Sequence, residues 1–383
     1  MASKLVASLK KNKALAELVA SEVVKDEFVS TNCIPVNLLL SGKIKGGIKK
    51  GKISQICADS GWGKSMIGLN VLKAAQQQGF DCVVIDTEKA FNRDLAASLG
   101  INVNDIAIFE SSLVPELKQI VANINNELSR AEQHNVFILL DSWGPIVEQQ
   151  VLDKAAEAST AVNMSGAKFK NELATVLSCY ANTVLVLNHV YSTLQQYGDA
   201  FAIPGGKKLY FLSDAIMMAS SAAKAKDKDG AIYGKIITAS VKKGRAAKEF
   251  AKTKFLIEHS GGINPYYGLL DDAIAAGVVF KPKAGRYSRT DYDVDQTTGE
   301  VTRQWKEDEL YSAKFWIPLY KDEKFNKYVE QKFAFEDEEL ISATQDVLAM
   351  INGEAEIPDE TKLVAESETE ENMTLDVSND DEE

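Results

Sequence analysis

The eight residues Ala58-Asp59-Ser60-Gly61-Trp62-Gly63-Lys64-Ser65 constrain this chain more than any other stretch. They follow the apolar run KISQICA and precede MIGLNVLKAAQQQ, whose apolar residues recur at helical spacing. A strand, a tight loop carrying G-K-S and a helix form the pattern of a phosphate-binding loop, with Ala58 where that pattern has its first glycine. Backbone N–H groups of Asp59, Ser60, Gly61, Trp62 and Gly63 at a helix N-terminus can cradle phosphate oxygens. Lys64 can reach the terminal phosphates as a point charge, and the Ser65 hydroxyl can ligate magnesium. The competing reading is a chance turn that binds nothing.

Further apolar runs extend the pattern. VFILLD ends in Asp141, a carboxylate expected to emerge at the C-terminal edge of a buried strand, where it can orient magnesium. DCVVID is followed by Thr87 and Glu88. Glu88 is either a base that polarises an attacking water or an ordinary loop acid. TVLVLN ends in Asn188 and His189, and a histidine there is either a packed side chain or part of the site. Short apolar runs alternating with helical segments such as Met66–Gln78 and Leu113–Gln133 predict an α/β fold, a mainly parallel sheet flanked by helices. YGKIITASVKK and EFAKTKFLIEH read as two antiparallel edge strands joined by a turn at Gly244–Ala247.

The expected layout is a helical segment over 1–30, an α/β core over 31–265, a small α+β domain over 266–353 and a disordered acidic tail over 354–383. That tail holds thirteen acidic residues and one lysine, a net charge of −12, equal to that of the whole 383-residue chain. The body is therefore neutral and can carry basic surfaces for polyanions. No apolar run approaches the roughly 18 residues of a membrane span. The N-terminus lacks the pattern of a secretory signal, so the expected location is cytoplasmic, without a membrane partner. Cys33, Cys57, Cys82 and Cys179 are widely spaced and read as buried, reduced thiols.

Two stretches are long for sheet connections. Pro145 to about Ser165 leads into a helix expected to open with Lys168 and Lys170. Val190–Gly206 leads into Lys207 and Lys208. Loops beyond about 15 residues inside a compact domain tend to be functional or disordered. Tyr191, Tyr197 and Phe201 offer faces for stacking bases, Gly205 and Gly206 permit close approach of a phosphate backbone, and the lysines supply charge. An ordinary surface loop is the alternative.

Taken in order, these pieces resemble the RecA-type strand-exchange recombinases, and within them the UvsX recombinases of T-even-like phages. The resemblance spans about residues 30 to 330. It rests on IPVNLLLSGKIKGGIKKGKI, VVIDTE, FILLDSWG, the Asn188-His189 pair, Gly205-Gly206, VKKGR and GGINPYYGLLDDAIAAGVVFKPKAGRYSR. It implies a RecA-like P-loop ATPase core using ATP and Mg2+, with Gly63, Lys64 and Ser65 on phosphate and metal, Asp141 supporting the metal and Glu88 activating water. His189 would sense the γ-phosphate and link it to the second DNA loop. Lys243 and Arg245 would reach the ATP of an adjacent subunit, and Gly205, Gly206 and Lys207 would hold DNA backbone. Leu95 stands where many relatives carry a tyrosine that stacks on adenine.

The implied activity is ATP-dependent homologous recombination in phage DNA recombination, repair and replication. Its partners would be single-stranded DNA, double-stranded DNA, further copies of the chain in a helical filament, a single-strand-binding protein and a recombination mediator. The rivals are a hexameric DNA helicase on the same core and a nucleotide-dependent DNA-coating protein with little hydrolysis.

Overall fold

In the computed structural model, the apolar runs become strands β1 (Phe28–Val29), β2 (Ile48–Lys49), β3 (Ile53–Ala58), β4 (Asp81–Asp86), β5 (Ile106–Glu110), β6 (Val136–Asp141) and β7 (Thr183–His189). Next come β8 (Tyr191–Ser192), β9 (Phe201–Ala202), β10 (Ser213–Lys226), β11 (Ile232–Gly244), β12 (Lys252–Glu258) and β13 (Gly262–Asn264). The structure describes residues 28–128, 135–147, 160–179, 182–192, 201–204 and 206–335. The acidic tail and residues 1–27 of the expected N-terminal helical segment lie outside them; its end at Phe28–Val29 is a strand, because these residues pair with Ile48–Lys49.

Nine strands form one sheet in the order β13-β12-β11-β10-β3-β7-β6-β4-β5. From β10 to β5 every neighbour is parallel, as predicted. β6 and β7 read almost continuously apolar because both faces are covered, and β3 is equally buried although it carries Ser54 and Gln55. Alternate residues serve alternate faces. Val84, Leu139 and Leu187 pack into one apolar cluster, while Val83, Ile138, Leu140 and Val186 join another with Leu117, Val121 and Leu173.

Helices α1 (Ile34–Ser41), α2 (Lys64–Gln77) and α3 (Arg93–Ser98) precede α4 (Val114–Leu128), α5 (Thr160–Ser178) and α6 (Lys207–Leu212). Leu69, Val71 and Leu72 of α2 join the first cluster, and Leu117 and Val121 of α4 join the second, so helices cover the sheet from both sides. Beyond the sheet come α7 (Leu270–Ala275), strands β14 (Val279–Lys283), β15 (Arg286–Arg289) and β16 (Trp305–Lys306), then α8 (Ala313–Tyr320) and α9 (Glu323–Phe333). Phe315, Trp316, Phe325 and Phe333 belong to the same apolar cluster as Leu38 and Ile56, so this C-terminal segment shares the interior of the core.

Three local expectations change. β11 and β12 pair antiparallel as read, but their connection runs over 245–251 rather than 244–247, and β10 separates them from the parallel strands. Its sequence SDAIMMASSAAKAK is rich in Ala and Ser, residues of weak strand preference, and pairing with β3 and β11 overrides that preference. The first long connection is shorter than expected, because α5 begins at Thr160 and Lys168 lies well inside it. Cys33, Cys57 and Cys82 are buried, whereas Cys179 is exposed. It follows Leu177, which closes the buried stripe Leu173, Ala174, Leu177, and falls off that face. No helix of the described residues is long and apolar enough to cross a membrane.

Candidate nucleotide site and DNA-facing loops

The register places the strand ends side by side. Ala58 pairs with His189, Asp141 with Leu187 and Asp86 with Asp141. Four strand ends thus meet at the C-terminal edge of the sheet, three of them polar, where ligands of open α/β folds bind.

The phosphate loop has the backbone its sequence requires. Gly61 and Gly63 have φ of 72° and 84°, a left-handed region that turns successive N–H groups to one side. At Gly63 a Cβ would lie 2.2 Å from Ile257 Cδ1, the movable end of a side chain, so it is the left-handed conformation that demands glycine there. Lys64 is buried, and its Nζ donates to the carbonyl oxygens of Ala58 and Asp59, both at 2.9 Å. Burial lowers its ammonium below the ordinary 10.5, against the carboxylates of Asp141, Glu88 and Asp59. Lys235 from β11 donates to the Gly61 carbonyl at 2.8 Å, bracing the loop from outside.

Asp141 accepts a hydrogen bond from Ser65. Burial raises its carboxyl above the ordinary 3.8, and Glu88 and Asp86 push the same way. A crowded acid beside a serine hydroxyl suits magnesium, which takes hard oxygen donors and completes its shell with water and phosphate oxygens. Among the described residues no group of three or more His, Cys, Asp or Glu forms a protein-only metal cage. A small pocket of about 70 Å³ beside them is lined by Ser65, Leu69, Asp86, Phe91, Leu95 and Asp141.

The acids after β4 divide their roles. Asp86 is buried, and its carboxylate accepts from the backbone N–H of Glu88 at 3.1 Å and of Phe91 at 2.7 Å, fixing the turn. Glu88 faces the site. Its Oε1 accepts from Ser142 Oγ at 2.5 Å and lies 2.9 Å from His189 Nε2. Burial alone would raise its carboxyl, but the contacts from Ser142 and His189, with Lys64 nearby, hold it below the ordinary 4.5. Thr87 supports the arrangement, accepting from the Ser142 N–H and donating to the Ser142 carbonyl. Ser142 was not foreseen, although it directly follows the aspartate in FILLDSWG.

The loop residues divide as well. Tyr191 is 59% exposed and pairs with Ala202 across β8 and β9. Lys168, Gly206, Lys207 and Lys208 are exposed. Lys170 is not available to a ligand in the same way, since its Nζ donates to the carbonyls of Trp143 and Gly144. The two loop exits touch: Asn171 Oδ1 of α5 accepts from the Lys208 N–H at 3.3 Å, and a Cβ on Gly206 would lie 2.7 Å from it. Tyr197 and Gly205 lie outside the described residues, as does the Phe201 side chain. Lys243 Nζ donates to the carbonyls of Tyr210, Phe211 and Ser213 of its own chain at 2.8–2.9 Å, capping the C-terminus of α6. Arg245 beside it is exposed.

A family model described as the RecA N-terminal domain matches residues 4–264, and one described as the C-terminal domain of the bacteriophage T4 recombination and repair protein matches 266–329. The recombination and repair protein of Enterobacteria phage T4 is 28% identical over 360 residues, covering 90% of this chain and 89% of that protein. A mitochondrial DNA repair protein recA homolog of Dictyostelium discoideum is 26% identical over 317 residues, 77% of this chain and 68% of that one. Protein RecA of Aquifex pyrophilus is 28% identical over 274 residues, 70% and 75% respectively.

Proposed function

From the premise that the chain belongs to the RecA family of recombination and repair proteins, we propose that it is a DNA-dependent ATPase that polymerises on single-stranded DNA and exchanges strands with homologous duplex. The observation that carries this reading is the contact of Glu88 with His189. It joins the acid beside the phosphate loop to the strand that runs into the second DNA loop.

In this mechanism the loop 59–63 and Lys64 hold the phosphates of ATP, and Ser65 and Asp141 hold Mg2+. Held there, Mg2+ would supply positive charge to offset that of the phosphates. Glu88, kept ionised by Ser142 and His189, orients a water and accepts its proton, a role typically worth about 10²–10⁴ in rate. Lys243 and Arg245 act on the ATP of a neighbouring copy, which requires Lys243 to leave its present carbonyls when copies dock. Charge supplied in trans makes hydrolysis depend on assembly.

Residues 1–30 would contact the next copy. Head-to-tail contact of this kind builds an open helical polymer. Lys168, Tyr191, Gly206, Lys207 and Lys208 contact DNA, with Tyr197, Phe201 and Gly205 completing the second loop. Binding is sequence-tolerant and salt-sensitive because the contacts are to phosphates and base faces. Single-strand-binding and mediator proteins would be the chain's further partners.

A strand-exchange assay between a circular single strand and its linear duplex tests the reading, with the same samples imaged for polymers. ATP-dependent joint molecules and helical filaments are expected. Closed rings that unwind duplex would favour the helicase, and filaments without exchange or hydrolysis the coating protein.

A further inference from the structure

Two amide side chains sit where the sheet interior would take apolar groups. Gln55 lies in the middle of β3 at 1% exposure, and Asn188 near the end of the adjacent β7 at 0%. Buried amides persist when their hydrogen bonds are made, and here the bonds run in one direction through the fold. Asn188 Nδ2 donates to the Pro204 carbonyl at 3.0 Å and to Gln55 Oε1 at 3.3 Å. Gln55 Nε2 donates to Ser213 Oγ at 2.8 Å, and Ser213 Oγ donates to the Leu209 carbonyl at 2.7 Å.

We propose that Gln55 and Asn188 are positioning residues that clamp the segment Pro204–Ser213 from inside the sheet and tie its DNA-facing lysines to the nucleotide site. The bond from Asn188 to Pro204 holds the segment where the second loop ends, and the bond from Gln55 to Ser213 holds it just past the far end of α6. Between these anchors lie Gly206, Lys207 and Lys208. On the other side, β3 runs directly from Gln55 into the phosphate loop, and Asn188 immediately precedes His189. Successive residues of a strand face opposite ways. Asn188 therefore addresses the loop while His189 addresses Glu88, and a shift of the segment reaches the candidate base through one peptide unit. Asn188 Oδ1 is buried without a partner.

The functional part of this inference rests on reading residues 206–208 as a DNA contact; the clamp does not. Its test is hydrogen–deuterium exchange on the nucleotide-free full chain, comparing wild type with Asn188→Ala, Gln55→Ala and Ser213→Ala. Loss of the clamp should speed exchange over 206–213 by about tenfold in the first two and less in the third, with α2 unchanged. Wild-type exchange over 206–213 in all three variants would overturn the clamp. If the first two fail to fold, Ser213→Ala decides alone. The accompanying readout is the ratio of ATP turnover with and without single-stranded DNA. A positioning role predicts that basal turnover holds within about twofold while the ratio falls about tenfold, whereas a merely structural role lowers both rates together. Absence of DNA stimulation in the wild type would count against the recombination reading, and the exchange over 206–213 would still decide the clamp.

Discussion

His189 Nε2 stands 2.9 Å from Glu88 Oε1, across a sheet edge where the two residues are 101 positions apart in sequence. Parallel register brings them together: β7 pairs with β6, β6 pairs with β4, and Ser142 closes the gap as a second donor to the same oxygen. The candidate catalytic carboxylate is thus held by groups at the ends of two neighbouring strands, β6 and β7. Several consequences are measurable.

Glu88→Gln keeps the shape and removes the base. ATP turnover should fall at least about a hundredfold while nucleotide binding, read by Trp62 fluorescence, is retained. Equal turnover in both proteins would remove Glu88 from the mechanism.

The pH dependence follows from the contacts on Glu88. Its folded-state carboxyl lies below the ordinary 4.5, so the group is ionised throughout the neutral range. Its contacts stabilise the fold above about that pH, and this contribution is lost as pH falls through the depressed value. His189→Ala removes one of these contacts, so the acidic limb of the pH–rate profile should move upward. An unchanged limb would mean that another group sets it.

Asp141 is shifted the other way. A buried acid with a raised value costs stability wherever it is ionised, and the cost vanishes as pH falls below the ordinary 3.8. Asp141→Asn should therefore raise the melting temperature of the nucleotide-free protein by about 2 °C. The same change should weaken magnesium-dependent nucleotide binding. Calorimetry of both proteins, with and without Mg-ATP, reads the two effects in opposite directions.

The buried pair in the C-terminal segment is structural. Arg289 Nη2 lies 2.8 Å from Asp293 Oδ1, Trp305 Nε1 donates to Asp293 Oδ2, and both charged side chains are almost fully enclosed. Removing one partner strands the other charge, so Asp293→Ala should cost about 3–5 kcal/mol in denaturant unfolding. Turnover per folded molecule should not change.

The parts of this fold that were legible beforehand are those fixed by local pattern. β3, β4, β6 and β7 announce themselves as apolar runs, and the glycines and Lys64 mark the loop between β3 and α2. β10 could not be read this way, because SDAIMMASSAAKAK becomes a strand through its neighbours on either side. The same distinction runs through the site. Lys64, Ser65, Asp141 and Glu88 stand next to strand ends and could be named from sequence. The partners of Glu88 and the inward bonds of Gln55 depend on register between distant strands, and Lys243 capping α6 depends on a tertiary contact.

ATP hydrolysis measured with and without single-stranded DNA, at low and moderate salt, tests the central claim most directly. The account predicts strong stimulation by DNA that weakens as salt rises, since assembly on phosphates completes the site. Hydrolysis that is equally fast without DNA, or absent in its presence, would contradict it.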